Sequence, residues 1–89
     1  MDKVVTLDKL NVGQMARVTN IAINNPALRR RIMDLGITKN VVLKIVKEAP
    51  LGDPVQIELR GYMLSIRKEV LKYIEGAILD NKKILRFEQ

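Results

Sequence analysis

The segment from Pro26 to Ile37, PALRRRIMDLGI, is the one stretch of this chain whose start, face and stop all specify a short helix, and alternating β-type runs surround it. One short helix in such company constrains the chain to a mainly β fold. Asn25 is a favoured N-cap residue, Pro26 brings the fixed φ of the first helical position, and Gly36 suits the left-handed turn that ends a helix. Leu28, Ile32 and Leu35, four and three residues apart, form one apolar stripe, while Arg29, Arg30 and Arg31 fan around the flanks and the far side.

The remaining text reads as short strands. After TLDKL, in which Leu7 and Leu10 point inward, Asn11 to Gln14 has turn chemistry. A first strand is expected near Ala16 to Ile21, with a bulge or bend around Thr19 and Asn20 because the two-residue period breaks there. Val41 to Lys47 reads as a second strand. In the third, Val55 to Arg60, Val55, Ile57 and Leu59 alternate strictly with Gln56, Glu58 and Arg60, the mark of a half-buried strand. Gly61 then implies a tight hairpin into a fourth strand, Tyr62 to Ile66. Arg67 to Lys72 suits about one helical turn, with Ser65 or Ile66 at its mouth, before a fifth strand, Tyr73 to Leu79. Five short strands with short connections bury a common face by curling, so the expected fold is a small β-barrel of about five strands with one inserted helix. DNKKILRFEQ, from Asp80 to Gln89, starts with turn-favouring residues and reads as an extra edge strand or a frayed tail. With no repeat or linker in sight, one domain over 1–80 and a C-terminal extension over 81–89 is the expected organisation.

At 89 residues and 47% apolar content the chain can build one core, burying roughly 60 to 65% of its unfolded surface. Cysteine and histidine are both absent, which removes disulfides, thiolate chemistry and the usual zinc ligand sets. The opening MDKVVTLDKL carries acids and lacks a secretory apolar run, and no run of about 18 apolar residues occurs, so a cytoplasmic protein, at most peripheral at a membrane, is expected. The net charge of +6 suits nucleic acid, an anionic membrane face or an acidic protein surface alike. Aromatic residues lower the single-stranded nucleic-acid reading, because Tyr62, Tyr73 and Phe87 are the whole stock of stacking platforms.

Catalysis finds little support. A nucleophile would have to be Ser65, Thr6, Thr19 or Thr38, none with an adjacent base. Gly13, Gly36, Gly52, Gly61 and Gly76 are too scattered to cradle a phosphate. Asp34, Glu48, Asp53 and Glu58 lack cation-loop spacing, so no metal site and no cofactor are expected. The arginine run is different, because local electrostatics do not account for it. Asp34 in the last turn opposes the helix dipole by roughly 0.3 to 1 kcal/mol, and the arginines lie nearer the positive end than the dipole favours. An Arg30–Asp34 pair would stand in the weaker cation-first order. Local rules broken without local gain point to function, and Arg29, Arg30 and Arg31 are the first candidate partner-binding residues, Arg31 having a structural brace as its alternative role. The second candidate is the loop EAPLGDP, Glu48 to Pro54, where Pro50 and Pro54 preorder a turn with Leu51 at its tip and Asp53 beside it. Leu51 either points outward to a partner or folds back over the barrel mouth.

Four motifs in register carry a family resemblance: TLDKLNVG at Thr6 to Gly13, RRRIMDLGI at Arg29 to Ile37, PLGDPVQI at Pro50 to Ile57 and RGYMLSIRKEV at Arg60 to Val70. Together they resemble the FeoA family, small cytosolic proteins of bacterial ferrous-iron uptake, over about Thr6 to Leu79. The resemblance implies an SH3-like barrel with an inserted helix, in agreement with the strand count. It departs from the family pattern at Lys39-Asn40, where a Pro-Gly type turn is common; asparagine tolerates left-handed geometry, so the turn survives. The resemblance further implies a non-enzymatic accessory of the FeoB-type ferrous iron transporter, acting at its cytosolic GTP-binding region, with Arg29, Arg30, Arg31, Leu51 and Asp53 as partner contacts. The alternative is a basic barrel that binds nucleic acid. A receptor for proline-rich peptides fits poorly, because such grooves are walled by aromatics.

Overall fold

The computed structural model describes residues 3–79. Six strands form one antiparallel sheet: β1 (Val4–Thr6), β2 (Met15–Ile21), β3 (Val42–Glu48), β4 (Val55–Leu59), β5 (Tyr62–Ile66) and β6 (Ile74–Leu79), in the spatial order β1-β6-β2-β3-β4-β5. A 3₁₀ turn (Leu7–Lys9) follows β1, helix α1 (Pro26–Asp34) joins β2 to β3, and a single turn, α2 (Lys68–Leu71), joins β5 to β6. The architecture is mainly β and SH3-like, as expected, with one more strand. β1 is the addition: three residues pair with β6 at Val4↔Ala77, Val5↔Gly76 and Thr6↔Glu75. So short a run carries no period of its own, and it becomes a strand only because β6 offers it an edge.

The core is wholly apolar, with no polar or charged residue buried among the described ones. It draws Ala16, Val18 and Ile21 from β2, Leu43 and Ile45 from β3, Val55, Ile57 and Leu59 from β4, Ile66 from β5 and Ile74 from β6. One contiguous cluster fed by so many strands requires the sheet to curl around it. Leu7 and Leu71 close it from the 3₁₀ turn and α2. The alternation read in β4 holds: Val55, Ile57 and Leu59 are buried while Glu58 faces solvent.

Two bulges set which side chains face out. Between β2 and β6 the register passes from Val18↔Gly76 to Asn20↔Glu75, leaving Thr19 as the extra residue where the broken period placed a bend. Between β3 and β4 it passes from Ile45↔Ile57 to Lys47↔Gln56, with Val46 extra, and this second bulge had no sequence signal. Leu59 pairs with Tyr62, so Arg60 (φ 49°) and Gly61 (φ 84°) form a two-residue hairpin loop with both dihedrals positive, the type I′ pattern. Asn40 takes φ 77°, so the Lys39-Asn40 turn survives as expected; Asn40 Oδ1 accepts a hydrogen bond from Arg17 Nη1 at 3.2 Å. No helix among the described residues is long and apolar enough to cross a membrane. The expected edge strand or tail from Asp80 to Gln89 lies outside the described residues.

Candidate docking face

Helix α1 starts and stops as its sequence specifies, and one residue of its apolar face lies differently. Asn25 Oδ1 accepts from the backbone N–H of Ala27 (3.0 Å) and Leu28 (3.2 Å), and Pro26 opens the first turn. Ile32 is buried and Leu28 half-buried against the core. The helix stops at Asp34 with Gly36 taking the left-handed turn just beyond it, but Leu35, expected to complete the apolar stripe, is the C-cap and 37% exposed. The stop is local: the Gly36 N–H donates to the Met33 carbonyl (3.0 Å) and the Ile37 N–H to the Ile32 carbonyl (3.3 Å), the Schellman pattern with Gly36 left-handed at φ 106°, and a tertiary latch adds to it where the Tyr62 hydroxyl of β5 donates to the Leu35 carbonyl. A Cβ at Gly36 would collide with that hydroxyl and stand 3.2 Å from Leu59 Cδ1. The latch therefore fixes the end of α1 on the β4–β5 hairpin.

Arg29, Arg30 and Arg31 are all exposed. The Arg30–Asp34 pair that the spacing allowed, in its weaker order, is not formed; among the described residues the ion pair is Lys68–Glu48, at 3.5 Å. Two of the three arginines share a solvent-open groove of about 470 Å³ lined by Asn24, Pro26, Arg29, Arg30, Met33 and Asp34. Arg31 is not among its walls. Met33, 36% exposed, is the apolar part of this face that sequence reading passed over, although its spacing of four from Arg29 and three from Arg30 placed it there.

The second candidate stands apart. The Glu48–Pro54 loop is pinned by the Gly52 N–H donating to the Ala49 carbonyl (2.7 Å) and the Ala49 N–H to the Pro54 carbonyl (3.0 Å). Leu51 at its tip is 97% exposed, so it points outward and does not cover the barrel mouth. Asp53 is structural, since its Oδ1 accepts from the Lys68 N–H at 3.0 Å and so caps α2. That turn opens on Arg67 and not on Ser65 or Ile66, and its capping acceptor comes from a loop 15 residues away, beyond the reach of local reading. The Arg67 side chain makes no hydrogen bond among the described residues. The loop precedes β4 and the α1 latch follows it, so the two stations sit at opposite ends of a five-residue strand, about 14 Å apart along its axis. Among the described residues no three acidic side chains gather where a metal ion could sit.

A family model described as the FeoA domain matches residues 5–77. The chain belongs to the FeoA family. The FeoA protein of Chlorobium tepidum has a solution structure that is 39% identical with a TM-score of 0.80, the alignment covering 85% of this chain and 71% of that one. The crystal structure of Stenotrophomonas maltophilia FeoA complexed with zinc, described as a prokaryotic SH3 domain protein, shares the fold at 24% identity and a TM-score of 0.70, covering 81% of this chain and 88% of that one. A curated relative, the Fe(2+) transport protein A/Fe(2+) transporter FeoB fusion protein of Porphyromonas gingivalis, is 28% identical over 75 residues. These are 84% of this chain but only 9% of the fusion protein, so the FeoA-like unit is a small part of that polypeptide.

Proposed function

We propose that this chain is a non-enzymatic, cytoplasmic accessory of bacterial ferrous-iron uptake that docks on the cytosolic GTP-binding region of a FeoB-type membrane transporter. The observation that carries the reading is the fusion: a relative of this chain is joined covalently to FeoB in Porphyromonas gingivalis. Joining two modules converts their encounter into an intramolecular one, and such joining is favourable where the separate proteins associate. Residues 1–80 form the docking unit, with 81–89 as an extension. Arg29, Arg30 and Arg31 supply orientation and encounter rate against an acidic surface, Leu51 supplies a preordered apolar contact, and Asp53 contributes by holding the loop that presents it.

The test is co-purification with the full-length, detergent-solubilised transporter. Changing the three arginines together to glutamate is expected to weaken capture while stability stays within about 1 kcal/mol of the parent, since all three are solvent-exposed. Unchanged capture would reject the basic helix as the interface. The nucleic-acid alternative predicts binding to mixed-sequence RNA or DNA that falls steeply with salt, because phosphate contacts release counterions. No binding at low salt would remove it.

A further inference from the structure

The groove on α1 divides the arginine run. At about 100° per residue, Arg29, Met33, Pro26, Arg30 and Asp34 occupy the outward half of the helix, whereas Arg31 falls beside Leu35. The walls of the groove agree, including the first two arginines and excluding the third. We infer that this groove is a directional receptor for an acidic amphipathic segment of the protein partner, an inference that rests on the docking reading above. Carboxylates lie over Arg29 and Arg30, an apolar side chain seats against Met33 and Pro26, and a basic residue faces Asp34.

Charge complementarity identifies the occupant. Arg29, Arg30 and Asp34 carry no ion-pair partner among the described residues, so all three charges are available to an incoming chain. They are also ordered along the axis, the cations at the fourth and fifth of nine helical positions and the anion at the ninth, where it opposes the helix dipole. An arrangement unfavourable within the helix is complementary to a segment whose charges run acid first and base second. The groove's volume of about 470 Å³ holds a few side chains and not a folded element. A nucleic-acid strand is disfavoured there, because the Asp34 carboxylate would repel phosphate and Met33 offers it no polar contact.

The experiment is titration of the full chain into the detergent-solubilised full-length FeoB-type transporter of the same organism, with melting followed by circular dichroism. Arg29→Glu with Arg30→Glu is expected to lower affinity about tenfold or more, Met33→Ser several-fold, and Arg31→Glu less than about twofold. Asp34→Lys is expected to weaken binding although it adds positive charge, which distinguishes a directional groove from general attraction to an acidic surface. Parent-like affinity in the Arg29/Arg30 variant, an equal loss from Arg31→Glu, or tighter binding by Asp34→Lys would each overturn the groove while leaving docking intact. A parent chain that does not bind the transporter overturns the docking reading, and the assigned occupant with it. Binding of mixed-sequence RNA or DNA that the Arg29/Arg30 variant abolishes, with transporter affinity retained, would reassign the groove to phosphate.

Discussion

Gly36 and Tyr62 show how much a single residue can depend on a distant one. Gly36 combines a left-handed φ of 106° with the close approach of the Tyr62 hydroxyl, so a side chain there meets backbone strain and a steric collision together. Gly36→Ala is expected to cost about 2 kcal/mol, and Tyr62→Phe about 1 kcal/mol through loss of the bond to the Leu35 carbonyl, both read from urea denaturation. In the Tyr62→Phe background the Gly36→Ala cost should shrink, because the colliding oxygen is gone; full additivity would contradict a direct contact. The left-handed turn at Gly36 was legible from its place after a helical run. That the same glycine also makes room for a tyrosine farther along the chain was not, since close approach belongs to the packed state.

At the scale of the element, α1 is specified at both ends by its own residues, and the barrel anchors its end through Tyr62. Asn25 supplies the acceptor for two otherwise unpaired N–H groups, and Asn25→Ala is expected to destabilise the protein by about 1 kcal/mol in thermal or chemical unfolding. Glutamate in place of the exposed Arg29 should leave stability within about 0.5 kcal/mol of the parent, whereas glutamate at Arg30 should lower it by a few tenths of a kcal/mol, because it stands four residues before Asp34 as a like charge. An Arg29→Glu variant as stable as the parent that binds the transporter less well would be the sign that this arginine is kept for a partner. A loss of more than about 1 kcal/mol in either variant would instead give the arginines a structural role. The pairings within β3, β4 and β5 followed from alternation and from Gly61, but β1 and the bulge at Val46 did not. A three-residue strand and a one-residue insertion have no period to read.

For the whole molecule, stability rests on one apolar core without buried polar residues among the described ones. Ile57, fully buried at the centre of β4, is one place where that dependence can be measured. Ile57→Ala is expected to cost about 2 to 5 kcal/mol, a large share of the roughly 5 to 10 kcal/mol a domain of this size commands, with circular dichroism and tyrosine fluorescence reporting a single transition. Loss of one signal before the other would argue for two separately folding parts. The candidate docking face is also a property of the whole. Sequence reading offered Arg29, Arg30 and Arg31 as one candidate and the loop bearing Leu51 and Asp53 as a second, and the fold divides each of them further. Two arginines share a groove with Met33, Leu51 stands at the far end of β4, and Asp53 caps α2. By itself the amino-acid order determined the helix start, the half-buried strands, the hairpin at Gly61 and the mainly β class, because caps, turns and two-residue periods act over a few neighbouring residues. The latch on the helix end, the pairing of β1, the cap on α2 and the grouping of charges were decided only by tertiary structure, because each depends on atoms brought together from positions far apart in the chain.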